Sequence, residues 1–139
     1  DWSVTGVQTC ALPILGTKGS YVPEVPSAKT LTTLKDPSSI ARGVTYLNFH
    51  PDGSKRLAVA YSVVDFQRTL PSMPIHSYIW DISNPNTSEM KLEPGSQLLC
   101  LKFNLKDSNL LGSGMYNGQF AFFDIRRGSL PVEVSAFTL

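Results

Sequence analysis

The sequence predicts an all-β fold of two consecutive four-stranded antiparallel sheets, preceded by a loosely structured lead-in. Three observations carry this expectation. From residue 42 onward, short runs rich in β-branched, aromatic and leucine residues alternate with turn clusters. The order strand, polar turn, strand, connection, strand, short strand occurs twice. Equivalent points of the two units, Trp80-Asp81-Ile82 and Phe123-Asp124-Ile125, stand 43 residues apart, within the approximately 40–45 residues of one propeller blade.

Composition narrows the alternatives. The chain has 139 residues, 42% hydrophobic and 17% charged, with a formal net charge of +1, which suits one modest globular domain and not a disordered chain. No apolar run approaches the roughly 20 residues of a membrane helix, so no membrane is expected as a partner. Lys and Arg number 12 against 11 Asp and Glu, too even a balance to attract a phosphate backbone, so no nucleic acid is expected either. Two cysteines, Cys10 and Cys100, cannot make a disulfide scaffold.

Residues 1–15 are expected to form no domain. The first residue is Asp1 and not Met, as in a fragment or a processed product, and no Lys or Arg precedes Lys18 to make a signal-peptide n-region. Val4-Thr5-Gly6-Val7-Gln8-Thr9-Cys10-Ala11-Leu12-Pro13-Ile14 resembles the in-frame translation of a common sequencing-library adapter. If that origin holds, Trp2 and Cys10 leave the inventory; amplification of the genomic locus tests it. Residues 16–40 are rich in Gly, Ser, Thr and Pro, with Pro23, Pro26 and Pro37 too close for a regular element, and read as an extended lead-in with a short strand over 30–34.

The first unit, residues 41–94, opens with a strand over 44–49 and the turn His50-Pro51-Asp52-Gly53, in which Pro fixes φ and Gly tolerates positive φ. Strands over 57–61, 78–82 and 90–92 come next, with a surface loop over 62–76 that contains Pro71 and Pro74. The second unit, residues 95–136, repeats the order with strands over 98–103, 110–114, 120–125 and 132–134. Asn117-Gly118 between two of them predicts a type I′ hairpin turn, whose two central residues need positive φ. The runs 57–61, 98–101 and 120–123 are almost continuously apolar, so both of their faces should be covered. Blades stacked on blades provide such cover, and no helical crossover of the length a parallel sheet needs is present. Two blades fall short of the 4–8 that close a ring, so both outer faces of the pair should be bare and the isolated chain unstable or oligomeric.

With Trp80-Asp81 and Phe123-Asp124 closing such units, the chain resembles the WD40-type β-propellers, as two blades of an incomplete ring. Over residues 26–135 it further resembles the axonemal dynein intermediate chains. The stretches that carry this are Pro26-Ser27-Ala28-Lys29-Thr30, Phe49-His50-Pro51-Asp52-Gly53, Lys55-Arg56-Leu57-Ala58-Val59-Ala60-Tyr61-Ser62, Asp65-Phe66-Gln67-Arg68, Asp81 with Asn84-Pro85-Asn86, and Tyr116-Asn117-Gly118-Gln119 with Arg126-Arg127-Gly128-Ser129-Leu130. The insertion 62–76 is the most telling, because generic WD repeats lack it.

The resemblance implies a non-catalytic scaffold subunit of the ciliary outer dynein arm, without a cofactor, in the cytoplasm and cytoskeleton of the axoneme. The implied partners are a dynein heavy chain, a second dynein intermediate chain, dynein light chains and, through the complex, the doublet microtubule. It also implies further WD units downstream and an extension upstream of Lys18. The implied structural positions are Trp80, Asp81, Phe123, Asp124, Ser113 and Asn117. The pattern is incomplete. Asn117 stands for the usual Asp, Phe123 for the usual Trp, no His lies near Gly95, and the long loop displaces the Asp position of the first unit. The polar network of a consensus repeat cannot form, and apolar packing must carry more. The tail 136–139 departs from the family pattern.

Chemistry offers little else. His50 and His76 have no patterned partner for acid–base work, and Cys10, His50, His76 and Cys100 lack the close pairs of a zinc site. Cys100, mid-strand among leucines, is expected to be a buried small hydrophobe. Gly112-Ser113-Gly114 has no Gly-Lys-Ser/Thr after it and is no phosphate loop, and Asp81 and Asp124 should bond turn amides. Candidate partner contacts are Phe66, Met73 and Ile75 in the long loop and the pair Arg126 and Arg127; Lys55 and Arg56 are weighed alike with that pair, and for both the favoured reading is solvated strand-end charge. An alternative function is a WD-repeat peptide-binding adaptor such as a ubiquitin-ligase substrate receptor, which an upstream F-box-like helical motif would favour; a β-rich enzyme is the weakest reading.

Overall fold

A computed structural model describes residues 25–64 and 72–137. The segment 1–15, with Trp2 and Cys10, and the loop residue Phe66 lie outside the described residues. Within the compact unit Thr32–Leu139, eight strands form in the expected order: β1 (Gly43–Phe49), β2 (Arg56–Ser62), β3 (Ser77–Asp81), β4 (Met90–Leu92), β5 (Leu98–Phe103), β6 (Leu110–Met115), β7 (Phe120–Asp124) and β8 (Glu133–Val134). They make two four-stranded sheets, β1-β2-β3-β4 and β5-β6-β7-β8, with every neighbour antiparallel.

The two sheets match pair by pair. Leu57 lies opposite Trp80 as Leu111 lies opposite Phe123, and each first strand is irregular at the same point, between Val44 and Tyr46 and between Leu98 and Cys100. A β-bulge there bends the strand and shifts the in–out phase of the residues beyond it. It explains one correction. Leu98 and Leu101 are buried, but Cys100 between them is exposed, because the extra residue turns its side chain to the opposite face.

Turn chemistry fixes the hairpins. Gly53 N donates to His50 O (3.4 Å), with Pro51 and Asp52 central and Gly53 at φ 75°, as the sequence suggested. The Asn117-Gly118 turn differs from expectation. Gly118 N donates to Met115 O (3.0 Å), so Tyr116 and Asn117 are the central residues and Gly118 comes after them at φ 85°. The Gly114–Phe120 register leaves a three-residue loop, closed by Met115 N to Gln119 O (2.9 Å), and not a two-residue type I′ turn. The expected strand over 30–34 is absent: residues 25–38 carry no ladder, and Leu34 packs side-on against a sheet face instead of pairing with an edge.

The principal core lies between the sheets. Ala58, Ala60, Ile79 and Leu92 of the first meet Leu98, Leu101, Phe103, Leu111, Met115, Ala121 and Phe123 of the second. Two alanines on β2 let the second sheet approach closely, and each fully buried large side chain contributes about 1.5–3 kcal/mol. A second cluster, Leu57, Val59, Tyr61, Tyr78 and Trp80, fills the other face of the first sheet under Leu34. Strand β2 is therefore covered on both sides, as its continuous apolar run required. The runs on β5 and β7 are not. There burial alternates, and Cys100, Lys102, Phe120 and Phe122 face outward. Among the described residues the outer face of the second sheet is bare, whereas on the first sheet Leu34 packs on the Leu57, Val59, Tyr61, Tyr78 and Trp80 cluster but Leu47 and Phe49 of β1, on the same face, stay more than half exposed.

Candidate interaction surfaces

The residues at the repeat positions are engaged within their own blades. Asp81 Oδ1 accepts from Ser83 N (2.8 Å) and Asp124 Oδ1 from Arg126 N (3.0 Å), so each aspartate ties the turn that leaves the third strand. Trp80 is buried, and its Nε1 donates to Tyr61 Oη (3.1 Å), a partner that repeat logic alone did not identify. Burial raises the Tyr61 hydroxyl above the ordinary tyrosine range, so it stays neutral. Phe123 is fully buried with no polar atom to satisfy. Ser113 Oγ donates to Ala121 O (2.8 Å), whereas Asn117 is exposed and bonds Gln119.

The candidate partner contacts separate. Arg126 is drawn into its own blade: Nε and Nη2 donate to Asp124 (2.9 Å each), and Nη2 reaches Asp107 (3.2 Å). Those bonds hold the Asp124 carboxyl below its ordinary range and raise the Arg126 guanidinium. Arg127 is exposed and makes no ion pair among the described residues. Met73 and Ile75 are half-buried, while Phe66 lies outside the described residues. Arg56 pairs with Glu89 (2.8 Å).

Contacts that link the blades are built by residues of no recognisable motif. The bulged Thr45 places Oγ1 within 3.3 Å of the carbonyls of Ala60 and Leu98. Asn48 Oδ1 accepts from Phe103 N (3.1 Å), and Gln97 Oε1 accepts from Val63 N (2.7 Å). Ser129 Oγ donates to Glu93 Oε2 (2.9 Å), and this bond, with Lys91, keeps the Glu93 carboxyl below its ordinary range. His50 is buried edge-on against Phe103 (4.8 Å), beside Asp52. Its ring packs between the blades, and its Nδ1 faces the Asp52 carboxylate. The hydrogen bond from Ser54 N to Asp52 Oδ1 (2.8 Å) is the main cause that holds the Asp52 carboxyl at about 2.

The remaining feature is a strap over the second core cluster. Arg42, with a side chain fully shielded from solvent, forks onto Asp36 (Nε to Oδ2 2.8 Å, Nη2 to Oδ1 2.7 Å) and donates Nη1 to the carbonyls of His76 (2.6 Å) and Pro74 (3.3 Å). Its guanidinium carbon stands 5.1 Å from the centroid of the Tyr61 ring. Burial alone would raise the Asp36 carboxyl, but the Arg42 bonds outweigh it and bring the group below its ordinary range. Burial, with Lys91 nearby, pulls His76 below the usual histidine range. Among the described residues, no three metal-binding side chains converge, and no helix is long and apolar enough to cross a membrane.

No family model matches the chain. Individual relatives do. The chain is 53% identical over 116 residues to the 70 kDa intermediate chain of the flagellar outer arm dynein of Chlamydomonas reinhardtii, covering 83% of this chain and 20% of that one. It is 54% identical over 112 residues to axonemal dynein intermediate chain 2 of Homo sapiens, covering 81% and 18%. It is 53% identical over 114 residues to the ciliary dynein intermediate chain 3 of Heliocidaris crassispina, covering 82% and 19%. The chain thus spans about a fifth of the length of these curated relatives. Identity above half across four-fifths of the chain, on two matched four-stranded sheets, makes this protein a homologous segment of the axonemal dynein intermediate chain family.

Proposed function

We propose that this chain supplies two blades to the β-propeller of a non-catalytic scaffold subunit of the axonemal outer dynein arm, where it supports motor assembly and docking on doublet microtubules for ciliary movement. The observation that carries the proposal is the identity above 50% to intermediate chains named for the flagellar outer arm and the axoneme. The partners of this role are a dynein heavy chain, a second intermediate chain, the light chains and the doublet. The physical logic suits the fold, since a rigid stack of sheets presents several loop edges to different proteins at once. On the first sheet the loop containing Met73 and Ile75 is one such edge, and Arg127 is on another.

A chimera tests this. The segment of the Chlamydomonas 70 kDa chain that aligns with this protein is replaced by its counterpart here and expressed in cells lacking the native subunit. Outer arms visible on the doublets, with the heavy chain recovered alongside the chimera, are the expected result. A stably expressed chimera that leaves the doublets without outer arms overturns the proposal.

A further inference from the structure

The connection between β7 and β8 carries a pattern that the fold alone does not require. Arg126-Arg127-Gly128-Ser129-Leu130 sets two arginines three and two residues ahead of a serine, with an apolar residue directly after it. No other Ser or Thr of the chain has two basic residues among the three that precede it. Arg126 and Arg127 are exposed, Ser129 is half-buried, and Leu130 is 66% exposed. A cleft with carboxylates for two guanidinium groups and an apolar pocket for the leucine would read this pattern around the serine hydroxyl.

Ser129 lies on the seam between the two sheets. Its Oγ donates to Glu93 Oε2 (2.9 Å) and its carbonyl accepts from Glu93 N (2.9 Å), Glu93 being the residue that follows β4. Both partners belong to the two sheets described here, so the contact needs no further blade to complete it. The segment around Ser129 is lightly tied. Its holds are Arg127 N to Asp124 O (2.9 Å), Val132 N to Phe122 O (2.8 Å), the Arg126 fork on Asp124, and β8, which is two residues long and exposed. It can peel from the sheet edge while β5, β6 and β7 keep their ladder, and in doing so Arg126 exchanges the carboxylates of its own blade for those of a cleft.

We propose that Ser129 is a phosphorylation site for a basophilic protein kinase, and that its phosphate opens the seam at Glu93. Ser129 Oγ attacks the γ-phosphorus of ATP, the bond from that phosphorus to the bridging oxygen breaks, ADP leaves, and the hydroxyl proton passes to a carboxylate of the kinase and on to water. The ester oxygen so formed carries no hydrogen and cannot donate to Glu93. The phosphate brings a charge of about −1.5 to −2 against the Glu93 carboxylate, more than Lys91, 3.1 Å from that carboxylate, can neutralise. A bond across the seam is thereby replaced by repulsion, and the modification acts on how firmly one blade holds the next.

The probe is the catalytic subunit of cyclic-AMP-dependent protein kinase, a basophilic enzyme, with ATP and magnesium. Tandem mass spectrometry of the treated 139-residue chain should place a phosphate on Ser129, and that site should stay unlabelled in Ser129→Ala. Arg127→Ala, a surface change with unaltered far-UV circular dichroism, should lower kcat/KM for the transfer by about tenfold or more. Amide hydrogen exchange at Glu93, whose N–H is bonded to Ser129 O, should quicken by about fivefold or more on phosphorylation. It should quicken less in Ser129→Ala, which removes the hydroxyl without adding charge. Label on a peptide of residues 122–134 but not on the whole chain, a rate indifferent to Arg127, or exchange at Glu93 no faster in the phosphorylated chain than in Ser129→Ala overturns the proposal. The axonemal role is read separately, from arm assembly.

Discussion

Replacing Arg42 with Ala removes the strap's anchor, and the cost is set by the groups it strands. The side chain is completely shielded, and its loss leaves the Asp36 carboxylate, itself only 15% exposed, without its cation. It also leaves the Pro74 and His76 carbonyls without a donor and uncovers one face of the Tyr61 ring. Breaking a buried pair by removing one partner typically costs about 3–5 kcal/mol, a large part of the roughly 5–15 kcal/mol that holds a domain together. Urea unfolding at fixed protein concentration, monitored by circular dichroism, should show that loss with an unchanged denaturant slope. If the strap instead lifts while the sheets persist, Trp80 fluorescence should shift to the red before the main transition, because Leu34 packs on the cluster that contains Trp80. Arg42→Lys should recover less than half of the loss, since an ammonium cannot fork onto both carboxylate oxygens. A cost below about 1 kcal/mol with no change in Trp80 fluorescence would refute the view that a buried ion pair holds the strap.

Phe123→Ala, at the centre of the interblade core, should cost about 3–5 kcal/mol in the same assay, while Phe122→Ala, on the open face one residue away, should cost less than about 1 kcal/mol. Tyr61→Phe leaves the buried Trp80 Nε1 without an acceptor and should cost about 1–3 kcal/mol. Gly118→Ala meets no neighbouring atom, yet its φ of 85° should cost about 1 kcal/mol through backbone strain alone. The Asp36 carboxyl is held below its ordinary range by Arg42, so its contribution is complete above the unfolded carboxylate value and is lost as pH falls through the lower folded value. The denaturation midpoint should therefore drop on acidification below about pH 4, and less steeply in Asp36→Asn.

The features legible in the sequence and those hidden in it divide along range. Trp80 and Phe123 announce themselves because a blade repeats its third strand at a fixed interval, and Asp81 and Asp124 are readable because an acid after that strand bonds the next turn's amides. The loop insertion falls between β2 and β3, as the unequal spacing of the two units required. Cys100 misled because a bulge is invisible in an apolar run: with Leu98, Leu99 and Leu101 around it, nothing signals that the phase slips by one. Asn117-Gly118 is compatible with two hairpin geometries, and only the pairing of Gly114 with Phe120 selects between them. Arg42 lies outside any motif. Its acceptors, Pro74 and His76, are 32 and 34 residues away, a relation that neither periodicity nor local propensity encodes.

The two sheets share a register but not an environment, and the difference explains their contrasting outer faces. Each has one face made of its third-strand aromatic and the alternating residues of its second strand. On the second sheet, Phe123 and Leu111 bury that face against the first sheet. On the first, Trp80 and Leu57 have no sheet to meet within the described residues; Leu34 packs against their cluster and Arg42 covers the Tyr61 ring within it, while Leu47 and Phe49 of β1 stay exposed. An irregular strap can replace a sheet there because Arg42 satisfies its own charge on Asp36 and donates to Pro74 and His76 carbonyls, so no buried polar group on the guanidinium is left over. Among the described residues the outer face of the second sheet has no such segment. Gly112, Gly114 and Phe122 provide apolar surface, but no polar side chain beside them is buried in a way that would fix an irregular chain. Only a regular partner whose backbone is already hydrogen-bonded can cover that face without stranding polar groups, and a second sheet meets this requirement.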